Sequence, residues 1–228
     1  QGIASVRFDK RGIGENTALI KKEQELRFNH YVNDVAAIIN YMKQDERFTS
    51  IHLIGHSEGA LIMTLAAQEN EIASLTLLAG AGRPVDELLI EQLTANLPPT
   101  LLAESKTALE KLKAGKMVSN VSAELQSLFR ASVQPYMMSW LQYDPQQEVS
   151  NVSVPILIVQ GKKDIQITET DAKALQKGNE QATVRYFDQM NHVLKDIKGD
   201  RTENIASYTN PDYPLAKGLI EEIVSFIR

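Results

Sequence analysis

The chain has 228 residues, 43% apolar and 23% charged, with a formal net charge of −5 and no cysteine. That size and balance allow one substantial globular domain with an elaboration and a real hydrophobic core. They exclude disulfides and thiolate metal sites, no basic block invites nucleic acid, and no apolar run approaches the roughly 18 residues of a membrane span.

The first residues, Gln1-Gly2-Ile3, enter an apolar run at once, without an initiator Met or a leading turn. The chain therefore reads as N-terminally truncated, and its compartment is not legible, because export signals sit at true N-termini. Ile3 to Phe8 predicts a β-strand, followed by the Gly-punctuated loop Asp9 to Asn16. From Glu25 to Lys43, apolar residues at Leu26, Tyr31, Val35, Ile38, Ile39 and Met42 recur at helical spacing. Ile51 to Ile54 predicts a strand that runs into Gly55-His56-Ser57-Glu58-Gly59 and then a helix of small residues through Leu61, Ile62, Leu65 and Ala66. Ala73 to Ala79 predicts the next strand, which opens into Gly80-Ala81-Gly82-Arg83-Pro84. Alternating strands and helices of this kind predict an α/β fold with a mostly parallel sheet flanked by helices.

Strand signals then stop. Residues 85–96, 101–113, 121–130 and 133–142 read as short helices separated by Pro98-Pro99, Gly115 and Pro135. So long an all-helical interruption predicts a lid or cap over residues 84–149, inserted into a core of residues 1–83 and 150–228. Leu128, Phe129, Tyr136, Met137, Met138 and Trp140 are its apolar stock, most of them for its own core and the remainder for a substrate pocket. The α/β pattern resumes with the strand Val154 to Gly161, apolar but for Gln160 near its end and hence central, leading into Lys162-Lys163-Asp164. Thr168, with Asp171 three residues on, caps a helix through Leu175. Ala182 to Phe187 is the last strand, followed by Asp188 to His192, a polar loop with Pro211 and Pro214, and an amphipathic helix from Leu215 to Ile227.

The chemistry centres on Ser57. Gly-x-Ser-x-Gly between a strand and a helix predicts a nucleophile elbow: Gly55 and Gly59 leave room for the turn, and the helix aims its first amides at a developing oxyanion. A serine needs a base within reach and a group to orient that base. Of the four histidines, His30 lies in a helical stretch, His52 in a strand, and the backbone of His56 is too close to Ser57 for easy in-line approach. His192 follows the last strand, where parallel sheets carry their functional loops. Asp164 follows the penultimate strand at the same sheet edge and is preferred as the acid over Asp188 and Asp196, which lack that position. No histidine pair has metal-ligand spacing, so neither a metal nor a cofactor is expected. Arg83 and Arg130 are open to two roles, a contact to a substrate carboxylate or a structural pairing.

These motifs, Phe8-Asp9-Lys10-Arg11-Gly12-Ile13-Gly14, Gly55-His56-Ser57-Glu58-Gly59, Val159-Gln160-Gly161-Lys162-Lys163-Asp164 and Met190-Asn191-His192, make the sequence resemble the α/β-hydrolase superfamily. The similarity is to its esterase-like branch, related to serine aminopeptidases and cinnamoyl esterases. The resemblance implies Ser57 as nucleophile, Asp164 as orienting acid, His192 as base and the Glu58 backbone amide as an oxyanion donor. It also implies that Arg11 and Gly12 shape a loop beside the elbow; the other reading of Arg11 is a structural salt bridge. In the superfamily a second oxyanion amide follows an earlier strand that has no counterpart in this chain. An incomplete sheet and an open strand edge, available for homo-oligomer formation or strand exchange, are the consequences expected. The function implied is a serine hydrolase for small apolar carboxylic esters; an aminopeptidase or amidase and a non-catalytic binding protein are the alternatives.

Overall fold

Four short strands pair as one parallel sheet in the computed structural model, which describes residues 2–228. The strands β1 (His52–His56), β2 (Ser74–Leu78), β3 (Ile156–Gly161) and β4 (Thr183–Phe187) lie side by side in chain order. Leu53 is level with Leu75, Leu77 with Ile158, and Ile158 with Val184. β2 and β3 are buried along their whole length, as strands covered on both faces must be. The helices are α1 (Phe28–Met42), α2 (Glu58–Glu69), α3 (Val85–Thr94), α4 (Pro99–Lys113), α5 (Gln126–Phe129), α6 (Gln134–Trp140), α7 (Pro145–Ser150), α8 (Glu169–Gly178), α9 (Arg201–Ala206) and α10 (Leu219–Ile227).

The chain divides into two compact units. The sheet unit comprises residues 2–3, 36–83 and 145–228. Its core joins Leu78, Leu157, Val159 and Met190 to Ala216, Leu219 and Ile223, so the apolar stripe of α10 is what closes that part of the sheet. α2 buries Ala60, Leu61, Ile62, Thr64, Leu65, Ala66 and Ala67, and its small side chains allow close packing on the strands. α8 opens with the predicted capping box of Thr168 and Asp171. α10 starts later than the periodicity predicts, because Gly218 adopts φ +85°, which a helix cannot contain.

The helical unit comprises residues 4–35 and 84–144. Its core gathers Val85, Ala108, Leu109, Leu112, Leu125, Phe129, Met137 and Leu141. A second cluster is aromatic: Phe28 is fully buried, stacks on Trp140 at 5.7 Å and also meets Tyr136 and Tyr143. The backbone amide of Phe28 donates to Ser139 Oγ at 2.8 Å.

The structure departs from the expected elements in further places. Ile3 to Phe8 forms no strand; Ile3, Val6 and Phe8 are exposed, and the sheet of the described residues contains only β1 to β4. Residues 4–35 fall with the helices rather than in the expected core of residues 1–83, because Phe28 and Tyr31 have their aromatic partners on α6. Two helices were not expected: α7 directly after Asp144, and α9 within the polar loop after His192. Among the described residues no helix is long and apolar enough to cross a membrane.

Candidate active site

β1 ends at His56 and α2 begins at Glu58, so Ser57 alone makes the turn between them, at φ 54° and ψ −122°. A non-glycine residue held there costs on the order of 1–3 kcal/mol and persists only where its surroundings over-determine it. Two hydrogen bonds do so: the Ser57 amide donates to the Leu78 carbonyl at 3.0 Å, and the Ser57 carbonyl accepts from the Ala60 amide at 2.9 Å. Gly55 is required by space, since a Cβ there would lie 2.3 Å from the Gly59 carbonyl oxygen and 2.7 Å from Ala60 Cα. Gly59 is not: a Cβ there meets nothing within 4 Å. The Glu58 amide stands at the N-terminus of α2, where the helix dipole favours negative charge.

Asp164 is fixed by the turn after β3. Its Oδ1 accepts the amides of Gln166 and Ile167 at 2.8 and 2.9 Å, and its Oδ2 faces Gln160 Nε2 at 3.4 Å. The same Oδ2 lies 2.8 Å from His192 Nδ1, and His192 Nε2 lies 3.0 Å from Ser57 Oγ. A carboxylate oxygen can only accept, so Nδ1 carries the proton and Nε2 offers its lone pair to the serine hydroxyl. Both Asp164 and His192 are buried. β3 and the loop after β4 approach closely: a Cβ on Gly161 would lie 2.0 Å from the Met190 carbonyl oxygen.

His56, expected among the residues that support the elbow, also contacts the loop that carries His192. Its Nε2–H donates to the backbone carbonyl of His192 at 2.7 Å, with the two rings 5.0 Å apart. Burial pushes the His56 imidazole below its ordinary range, opposed in part by that hydrogen bond. A second non-glycine left-handed residue, Leu194 at φ 64°, follows His192 in the loop, and a third, Ala79 at φ 46°, ends β2. The fourth such residue among those described, Asn120 at φ 59°, belongs to the helical unit; the other three all belong to the sheet unit.

The remaining candidates have other partners. His52 is held by Ser50 and Ser74 at 3.0 and 2.7 Å. His30, in the helical unit, accepts the Arg27 amide at 3.3 Å. Arg11 pairs with Asp34 of α1, and Gly12, at φ +82°, donates its amide to Asn16, so both have their contacts in the helical unit. Arg83 forms a two-pronged pair with the fully buried Asp171, and Arg130 pairs with Glu23. Asp188 pairs with Lys162 at 2.7 Å.

A parallel sheet with a serine at a strand-to-helix turn and a histidine and carboxylate at later strand ends defines the α/β-hydrolase class. The family described as serine aminopeptidase, S33, matches residues 1–196, and the chain belongs to it. Esterase EstD of Thermotoga maritima is 22% identical over 242 residues, covering all of this chain and 54% of the relative, so the chain spans about half the length of that protein. Among solved structures, Est1E from Butyrivibrio proteoclasticus with bound ferulic acid aligns at TM-score 0.57 and 16% identity, over 96% of this chain and 75% of that one. A lipase-esterase related protein from Clostridium acetobutylicum aligns at TM-score 0.53 and 19% identity, over 88% of this chain and 75% of that one. At these identities the two structures carry the fold alone.

Proposed function

We propose that the protein is a serine esterase that works through an acyl-enzyme, with Ser57 as nucleophile, His192 as base and Asp164 as its orienting acid. The observation that carries the reading is the unbroken line Ser57 Oγ, His192 Nε2, His192 Nδ1, Asp164 Oδ2 at 3.0 and 2.8 Å. Ser57 Oγ attacks the ester carbonyl while its proton passes to His192 Nε2. The imidazolium so formed is stabilised by Asp164, and the oxyanion faces the Glu58 amide. His192 returns the proton to the leaving alkoxide, which departs as an alcohol. Water, deprotonated by His192, then splits the acyl-serine to a carboxylic acid and free Ser57.

Small carboxylic esters with an apolar part are the substrates proposed, supported by the esterase relative and the apolar composition of the helical unit, which is proposed to act as a lid. The family description favours a second reading, an aminopeptidase or amidase. A fluorophosphonate probe with p-nitrophenyl esters, methyl ferulate and aminoacyl-anilides separates them. Covalent labelling lost in Ser57→Ala, with ester turnover well above anilide turnover, is expected. Absence of labelling in the folded protein overturns the hydrolase reading in favour of a binding protein, and preferred anilide turnover overturns the esterase reading. Self-association through β1, which pairs only with β2 among the described residues and leaves Ile54 exposed, is proposed as well; a monomer across a concentration series in analytical ultracentrifugation refutes it.

A further inference from the structure

Asn191 stands immediately before His192 and is fully buried. Its Oδ1 accepts the Lys195 amide at 2.9 Å, and its Nδ2 donates to Asn204 Oδ1 at 3.0 Å and to Ser207 Oγ at 2.7 Å. Asn204, also buried, donates its own Nδ2 to the carbonyl of Lys163 at 2.6 Å, and Lys163 immediately precedes Asp164. The Ser207 hydroxyl spends its proton on the Asn204 carbonyl at 2.7 Å, which leaves its lone pairs for Asn191. The arrangement admits no amide flip. Turning Asn191 would set oxygen against oxygen at Asn204 and N–H against N–H at Lys195.

The residue before the acid and the residue before the base are therefore tied to one side chain. A buried polar network with every partner satisfied specifies a single geometry, and a half-satisfied one does not. From the other direction, the Lys163 amide donates to the Met190 carbonyl at 3.0 Å, so Lys163 is gripped at both its N–H and its C=O. Asn204 is carried by α9, whose N-terminus is capped by Asp200 through the amides of Thr202 and Glu203.

We propose that Asn204, assisted by Ser207, is a positioning residue: α9 serves as a spacer that fixes the Asp164 turn relative to the His192 loop. None of the network's contacts involves Ser57, so its effect on chemistry passes through the register of Asp164 Oδ2 with His192 Nδ1. The inference rests on the reading of Ser57, His192 and Asp164 as a reacting set. Asn204→Asp keeps the acceptor for Asn191 and turns an acceptor on the Lys163 carbonyl; Asn204→Leu removes both ties with a side chain of the same branching, though larger.

The test uses the full chain, well below each variant's unfolding midpoint, so that all molecules are folded. Two quantities are read: the rate of fluorophosphonate labelling, and the downfield proton resonance of the His192–Asp164 hydrogen bond, assigned by its loss in His192→Ala. Both Asn204 variants are expected to label roughly tenfold to a hundredfold more slowly, the scale of a misplacement near 1 Å. The resonance is expected to move upfield or broaden in parallel. A purely structural role for Asn204 would lower the midpoint and leave both readouts unchanged, which overturns the proposal. Should the Asn204 variants fail to fold, Ser207→Ala, which removes one contact, decides by the same readouts. A wild-type chain that does not label overturns the underlying hydrolase reading instead, a result distinct from equal labelling by wild type and variants.

Discussion

A single methyl group added at Gly161 is expected to uncouple Ser57 from His192 without touching either. The Cβ of Gly161→Ala would sit 2.0 Å from the Met190 carbonyl oxygen, 2.6 Å from its carbon and 3.0 Å from its Cβ. Ordinary contact begins near 3.4 Å, so the end of β3 and the loop carrying Met190 must part by about 1.4 Å. Met190 is fully buried among Leu78, Val159 and Leu219, so the displacement is expected to pass along the loop to His192, two residues on. The gap from His192 Nε2 to Ser57 Oγ is 3.0 Å, and an added ångström takes it outside hydrogen-bond range. Overpacking of this kind destabilises by about 1–3 kcal/mol, and a 1 Å misplacement of reacting groups slows chemistry by about 10²-fold. Thermal unfolding and kcat for p-nitrophenyl butyrate, measured on the folded fraction, separate the two effects. Wild-type kcat in a folded Gly161→Ala protein would refute the claim that the β3 end and the Met190 loop set the position of His192.

The two glycines of the turn should respond in opposite ways. Gly55→Ala drives a Cβ to 2.3 Å from backbone and should destabilise strongly, while Gly59→Ala, inside α2 and in open space, should raise the unfolding midpoint, worth up to about 1 kcal/mol. Asp164→Asn should lower kcat by about 10⁴-fold, the loss found when a triad carboxylate becomes an amide. The reason is visible here: the Gln166 and Ile167 amides hold the amide oxygen at the Oδ1 position, so the new NH2 faces His192 and selects the wrong tautomer. Retained turnover would remove Asp164 from that role. Burial lowers the pKa of His56 and of His52, so the unfolded chain takes up protons that the folded chain refuses. Stability should be level above about pH 6.5 and fall as pH drops below it, less steeply in His56→Gln; parallel midpoint-against-pH curves for wild type and variant would contradict this. Arg83→Met leaves the fully buried Asp171 carboxylate without its cation and should cost about 3–5 kcal/mol in denaturant unfolding. The same change at the half-exposed Arg130 should cost at most about 1 kcal/mol, and equal losses would show that burial is not the deciding variable.

Much of the sheet unit could be read directly because its signals are local. The apolar runs at β2 and β3 leave no solvated face, which only a doubly covered parallel strand tolerates. Gly55 marks the turn at Ser57 because no other residue fits there. Asp164 and His192 could be singled out by one rule of position, that parallel strands deliver their loops to one edge, and the structure places their side chains within hydrogen-bond reach of one another. Thr168 and Asp171 announced the start of α8 three residues apart, a distance over which a cap is self-sufficient.

Ile3 to Phe8 shows where local reading ends. The run has strand composition, but a strand exists only when a neighbour completes its ladder, and among the described residues none does. Tyr31 read as part of the buried face of a helix in the 1–83 core; the choice of partner was made by the ring of Tyr136, distant in sequence, as Trp140 chose Phe28. α9 sits in a stretch too polar and too short for hydrophobic periodicity to reveal it, and its worth lies in Asn204 meeting Lys163 and Asn191. Ser57 and the residues expected to serve it were thus determined by the sequence itself, through backbone sterics and strand order. Whether they stand at 2.8 and 3.0 Å from one another was decided only by the tertiary structure, because that spacing depends on the close approach at Gly161, the His56 contact and the buried amides behind His192, none of which has a signature shorter than the fold.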